Sequence, residues 1–152
     1  LGYSVTGQHA SKIRIAKQSI ERLKDRIREL CRPGRGRSLP QIIESMNPVL
    51  RGWMNYFSLT QSRRPIAELD TWLRRRLRSI VWRQWKRPKT REVKLRAHGL
   101  DAQRAWKSSV NGRGPWWNAG AKHMIAALPP KYFSQLGLVS LVATHQHLQR
   151  SA

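Results

Sequence analysis

The sequence predicts a mostly α fold, a three-helix bundle followed by a small, basic helical lobe. Three observations carry this. Apolar residues recur in steps of three and four through three successive stretches between Ile13 and Ile80, the spacing of one helix face. Only a few residues, rich in Pro, Gly and Ser, separate those stretches, so a bundle is the natural packing. Hydrophobic residues make up 39% of the 152, with seven Trp among them, which is enough for a core and excludes a solvated basic tail.

In order, Leu1-Gly2-Tyr3-Ser4-Val5 reads as the tail of a strand, and Thr6, Gly7 and Gln8 as a turn. Ser11 then caps a first helix whose inward stripe is Ile13, Ala16, Ile20, Leu23, Ile27 and Leu30. The run Arg32-Pro33-Gly34-Arg35-Gly36-Arg37 ends it. Ser38 caps a second helix, with Pro40 in its first turn and an apolar set of Leu39, Ile42, Ile43, Met46, Leu50, Trp53, Met54 and Phe57. Pro48 falls inside that set and predicts a kink or break near Met46–Asn47. Ser62 and Pro65 open a third helix, Ile66, Leu69, Leu73, Leu77 and Ile80 face inward, and Pro88 closes it. Residues 90–100 are a weakly patterned basic segment ending at Gly99, and Asp101 caps a short helix through Ala105 and Trp106. After the loop Asn111-Gly112-Arg113-Gly114-Pro115, a last amphipathic helix is expected over about 118–128, stopped by Pro129-Pro130. The expected organisation is a linker at 1–10, a bundle at 11–87, a lobe at 88–143 and a disordered tail at 144–152.

Thirty Lys and Arg against eight Asp and Glu give a formal net charge of +22. Self-repulsion at this density disfavours a compact chain unless a polyanion neutralises it, so the expected partner is rich in phosphate, nucleic acid first. A small-molecule enzyme is disfavoured, because so few carboxylates are available for acid–base work. Cys31 stands alone, which excludes an internal disulfide and a Cys-based zinc cluster; a buried structural thiol is expected. No apolar run is long enough for a membrane span, and no secretory signal opens the chain. Without an initiator Met, it reads as a piece of a longer intracellular protein.

The arginines carry the strongest physical signal. Arg14, Lys17, Lys24 and Arg28 share one flank of the first helix. The third carries Arg74, Arg75, Arg76, Arg78, Arg83, Lys86 and Arg87, with Arg74 and Arg78 one turn apart on a face away from the leucines. A planar guanidinium binds phosphate bidentately and stacks on bases. Trp82 and Trp85 lie beside that face and either join it or pack against the following lobe. Arg35 and Arg37 form either a flexible arm along phosphates or a solvated linker. In the lobe, Lys89, Arg91, Lys94, Arg96, Arg113 and Lys122 are candidates for DNA or RNA. A merely solvated surface would carry acids in comparable numbers. Catalytic constellations are poor. Glu68 and Asp70 suit the dipole at the start of the third helix better than a metal. His145 and His147 lack a third ligand, and His9, His98 and His123 are isolated. No catalytic residue, metal site or cofactor is expected in this chain.

The string Asn47-Pro48-Val49-Leu50-Arg51-Gly52-Trp53-Met54-Asn55-Tyr56-Phe57 resembles the maturase-specific region of group II intron-encoded proteins. Leu69-Asp70…Trp72-Leu73-Arg74-Arg75-Arg76-Leu77 and Trp82…Trp85 extend the likeness, and Leu1-Gly2-Tyr3 resembles the end of the palm in such reverse transcriptases. Gly114-Pro115-Trp116 and the stretch from Tyr132 to Leu141 resemble the ends of compact bacterial members without an endonuclease domain. The resemblance implies a thumb that binds intron RNA, assists its splicing and grips a template–primer duplex, followed by a lobe for target DNA. It implies a bacterial ribonucleoprotein in the cytoplasm. The polymerase carboxylates, with the Mg2+ they would hold, belong upstream, so this piece is not expected to polymerise. Within the motif, Arg51 and Asn55 lie one turn apart and either suits RNA; Gly52 suits close helix approach, and Trp53, Tyr56 and Phe57 suit the core. Rival readings are a general DNA-binding domain, a structural module of a ribonucleoprotein particle, and a metal nuclease using His145 and His147.

Overall fold

The computed structural model describes residues 2–5, 13–32 and 36–152. They are mostly helical and gather into two compact units, Leu1–Thr71 with Gly137–Ala152, and Trp72–Leu136. The expected division after Arg87 falls inside the second unit.

In the first unit, strands β1 (Tyr3–Val5) and β2 (Ile13–Ile15) pair antiparallel with Tyr3 opposite Ile15 and Val5 opposite Ile13. Helix α1 therefore spans Lys17–Leu30 rather than starting after Ser11, and Arg14 sits on a strand. Ile13-Arg14-Ile15 satisfies a two-residue period as well as a helical one, and β-branched residues tip that choice toward the strand. Ser11 and the 6–8 turn lie outside the described residues. Leu23 and Ile27 are buried, while Ile20 and Leu30 are only partly so.

Helix α2 (Leu39–Tyr56) opens as expected. The Ser38 hydroxyl accepts from the Gln41 amide, and the Gln41 side chain accepts from the Ser38 amide. It buries Leu39, Ile42, Ile43, Met46, Leu50 and Met54. Pro48 does not break it. Pro48 and Glu44 face solvent, where water can serve the carbonyl that loses its donor, and buried Met46 and Leu50 hold the turns on either side.

Helix α3 (Arg64–Gln84) places Ile66 and Leu69 in this unit's core. Where a frayed tail was expected, a helix, here α9 (Leu141–Ser151), packs against α2. Two side chains of the recognised motifs fasten it. Asn47 donates to the Gly137 carbonyl (2.8 Å) and accepts from the Val139 amide (2.9 Å). Buried Asp70 accepts from the Leu141 amide (2.9 Å), the Val142 amide (3.0 Å) and the Ser140 hydroxyl (3.1 Å). Asp70 thus caps α9, not the helix it stands on. His145 is buried, 2.9 Å from the Thr60 carbonyl.

The second unit holds the rest of α3, with Leu73, Leu77, Val81, Trp82 and Trp85 buried and Ile80 only partly covered. Pro88 opens helix α4 (Pro88–Ala97) rather than closing α3. Only Leu95 of α4 is buried, which is why its pattern is faint. Helix α5 (Ala102–Ser109) packs on it, capped by the Asp101 carboxylate on the Arg104 amide (2.8 Å). The expected helix over 118–128 is two, α6 (Pro115–Ala119) and α7 (Lys122–Ala127), followed by α8 (Pro130–Gln135). The break falls at Gly120, where a Cβ would lie 2.7 Å from the Arg75 guanidinium carbon. Buried Asn118 staples the glycine-rich loop, donating to the Arg113 (3.0 Å) and Gly114 (2.9 Å) carbonyls and accepting from Asn111 (2.8 Å). His123 Nε2, 2.9 Å from the same Asn118 oxygen, is then its second donor.

Candidate nucleic-acid interface

Four arginines expected at the interface are instead built into the fold, each donating to a backbone carbonyl, three of them at or near a helix C-terminus. Arg37 donates to the Leu30 carbonyl at the end of α1, and to the Ser45 hydroxyl at 3.3 Å. Arg91 reaches the Trp82 carbonyl in the last turn of α3 with Nε (3.3 Å) and Nη2 (3.2 Å). Arg75 reaches the Trp116 carbonyl of α6 with Nε (3.1 Å) and Nη2 (2.9 Å), and Arg78 Nε reaches Leu128 at the end of α7 (2.8 Å). Helix-end carbonyls lack an intrahelical donor and carry the negative end of the helix dipole, so a guanidinium suits them.

Aromatic rings complete three of these settings. Arg75 lies 4.1 Å over Trp116, Arg91 4.5 Å over Trp82, and Arg78 5.4 Å from the centre of Phe133. Burial, aided by the charge of Arg74, lowers the Arg78 pKa to about 10; burial also lowers that of Arg91. Arg78 stays charged at neutral pH, but it is buried and has no face left for a phosphate, contrary to the expected Arg74–Arg78 row. Trp82 and Trp85 are buried core.

On α1 the acids select their partners. Glu21 pairs with Lys24 (3.8 Å), Asp25 with Arg28 (2.8 Å) and Glu29 with Arg32 (3.5 Å), each acid taking the base three residues on. The expected flank of Lys24 and Arg28 is therefore partly neutralised. The ladder leaves Lys17, Arg22 and Arg26 as the exposed cations of α1 without a counter-ion among the described residues. Arg22 and Arg26 were missed, although the regular acid-to-base spacing in the sequence points to them.

The other candidates divide in the same way. Arg14, Arg51 and Asn55 are exposed in the first unit, while Lys86, Arg87, Lys94, Arg96 and Lys122 are exposed in the second. Arg74 is half-buried, Lys89 pairs with Glu92 (3.4 Å), and Arg113 lies 5.0 Å over the exposed Trp117 ring. Arg35 lies outside the described residues, as does His9. Of the motif aromatics only Phe57 is buried. Trp53 is half-buried and Tyr56 is 63% exposed, so neither is the core residue expected. Nothing lies within 4 Å of a Cβ built on Gly52, so that glycine serves no close helix approach. Among the described residues no group of three or more His, Cys, Asp or Glu could hold a metal.

None of the curated proteins compared with the chain matches it. The family described as group II intron, maturase-specific domain matches residues 20–99, more than half of the chain. That span takes in nearly all of α1, the whole of α2, α3 and α4, the string from Asn47 to Phe57 and the capping residue Asp70. The chain belongs to the group II intron maturase-specific domain family.

Proposed function

We propose that this maturase-specific chain is an RNA-binding thumb of a group II intron-encoded reverse transcriptase. It binds structured intron RNA during splicing and the template–primer duplex during copying, and the C-terminal lobe contributes to target-DNA binding. It acts within a ribonucleoprotein particle in the bacterial cytoplasm and does no chemistry of its own. The observation that supports this reading is the presence of exposed cations outside the helix caps and ion pairs, among them Arg14, Lys17, Arg22, Arg26 and Arg51 in one unit and Lys86, Arg87, Lys94, Arg96 and Lys122 in the other. A rigid helix presenting such cations can follow a phosphate backbone or span the shallow minor groove of A-form RNA.

Competition between a structured group II intron RNA and duplex DNA of equal length, at fixed salt, tests this. Tighter binding of the intron RNA is expected; equal or tighter binding of DNA would replace the reading with a general DNA-binding domain. With about six phosphates contacted, log K falls against log salt with a slope near −5, about a thousandfold between 50 and 200 mM. A flat salt dependence would remove phosphate tracking as the mechanism.

A further inference from the structure

A groove of about 510 Å³ lies within the first unit, between α1 and the second half of α2. We propose that it seats one unpaired base of the bound RNA, an inference that rests on the RNA-binding reading above. Its floor is Phe57, against which Trp53 and Tyr56 pack with ring centres 4.8 Å away in each case. Its wall on the α1 side carries Arg22 and Arg26, one helical turn apart.

Sequence keeps the groove open. Gly52 contributes no side chain, and the space where one would stand is empty to 4 Å. Gly2 closes one end at φ +99°, a conformation that disfavours other residues, and a Cβ there would touch Phe57 at 3.0 Å. The Tyr3 hydroxyl donates to the Tyr56 carbonyl (2.9 Å), fixing the backbone that carries the exposed ring.

The lining selects the occupant. Among the described residues it contains no acid and two arginines without a counter-ion, so the occupant is anionic. Tyr56 and Trp53 leave aromatic surface uncovered inside a basic groove, the combination that binds single-stranded nucleic acid by stacking a base and holding its phosphate. The volume is that of a small-ligand site: ample for one nucleotide, far too small for a duplex. An apolar peptide would use the rings and leave both arginines idle.

The test uses the whole chain and two RNA hairpins, one with a single bulged 2-aminopurine in its stem and one fully paired. The chain is expected to bind the bulged hairpin at least fivefold more tightly, the low end of one base–aromatic stack, and to quench the 2-aminopurine. Gly52→Leu fills the groove while replacing a glycine inside a helix by a better helix former, so its melting temperature is held or raised. That variant and Tyr56→Ala are expected to bring the preference to one and leave the paired hairpin's affinity unchanged, while Tyr56→Phe retains the preference. A wild-type preference of one overturns the proposal, as does a preference and quenching that survive Gly52→Leu. Failure to bind either hairpin overturns the RNA-binding reading itself, whereas equal binding of both defeats the groove alone.

Discussion

Replacing Arg78 by Ala tests whether this guanidinium is a fastener or a gripping residue. Arg78 is 4% exposed and donates to the Leu128 carbonyl at 2.8 Å. Truncation leaves that carbonyl buried without this donor, a loss of about 1–3 kcal/mol. Removing the stem beside Phe133 adds a cavity of about 2 kcal/mol, the lower end for large-to-small changes. Relief of a buried charge, the cause of its lowered pKa, offsets part of this. The net expectation is about 2–4 kcal/mol, or roughly 6–12 °C in melting temperature for a chain of this length. Arg83→Ala, an exposed position on the same helix, should stay within about 0.5 kcal/mol and serves as the control. Thermal melts followed at 222 nm read the stability, and RNA affinity is measured well below both transitions. There Arg78→Ala should bind RNA as the wild type does. Wild-type melting together with a tenfold loss of RNA affinity would show that Arg78 leaves Leu128 for a phosphate, and would refute the reasoning.

Asp70→Ala removes three hydrogen bonds at the start of α9 and should cost about 2–3 kcal/mol, with faster amide hydrogen exchange over 141–145; unchanged exchange would refute its capping role. The His123 pKa is lowered, first by burial and then by the charge of Arg104. The unfolded chain therefore takes up the proton near pH 6.5 and the folded chain only below that. The contribution to stability is complete above pH 6.5 and is lost as pH falls through the lowered value. The urea midpoint should drop between pH 7.5 and pH 5, and His123→Gln should flatten that drop; equal dependence in both proteins counts against it. Asp25→Asn should release Arg28 from its pair and strengthen RNA binding with little change in melting temperature, and weaker binding would show that the α1 ladder orients the cations instead of masking them.

What was legible in the sequence was local. The Ser38 cap, the Asp101 cap and the leucine stripe of α3 are written within a few residues of where they act. So is the string from Asn47 to Phe57, which pointed to the family. Several of the failures share a different cause, sequence distance. Helix α9 looked frayed because its cap, Asp70, stands 71 residues before the Leu141 amide it binds. Arg75 and Arg78 looked free because their carbonyls lie 41 and 50 residues on. Strand β2 was hidden by a tripeptide that fits two periods, and α4 by burying only Leu95. Tyr56 was assigned to the core on hydrophobicity, while its position at the last residue of α2 turns the ring outward. The acid-to-base ladder on α1 is the instructive exception. It is local, and its spacing already singles out Arg22 and Arg26.

The guanidiniums fixed on backbone carbonyls have a kinetic consequence. A backbone carbonyl accepts a hydrogen bond from each of Arg37, Arg75, Arg78 and Arg91 but does not cancel their charge. These side chains still add to the long-range field that draws a polyanion in, and that field sets the rate of encounter. They give little to the close contacts that set the lifetime of the complex, which fall to cations with free donors. On the proposed function, arrival and departure would be governed by different subsets of the same thirty basic residues. If the chain binds RNA as proposed, loss of charge at Arg91 should slow capture and loss of charge at Arg26 should hasten release.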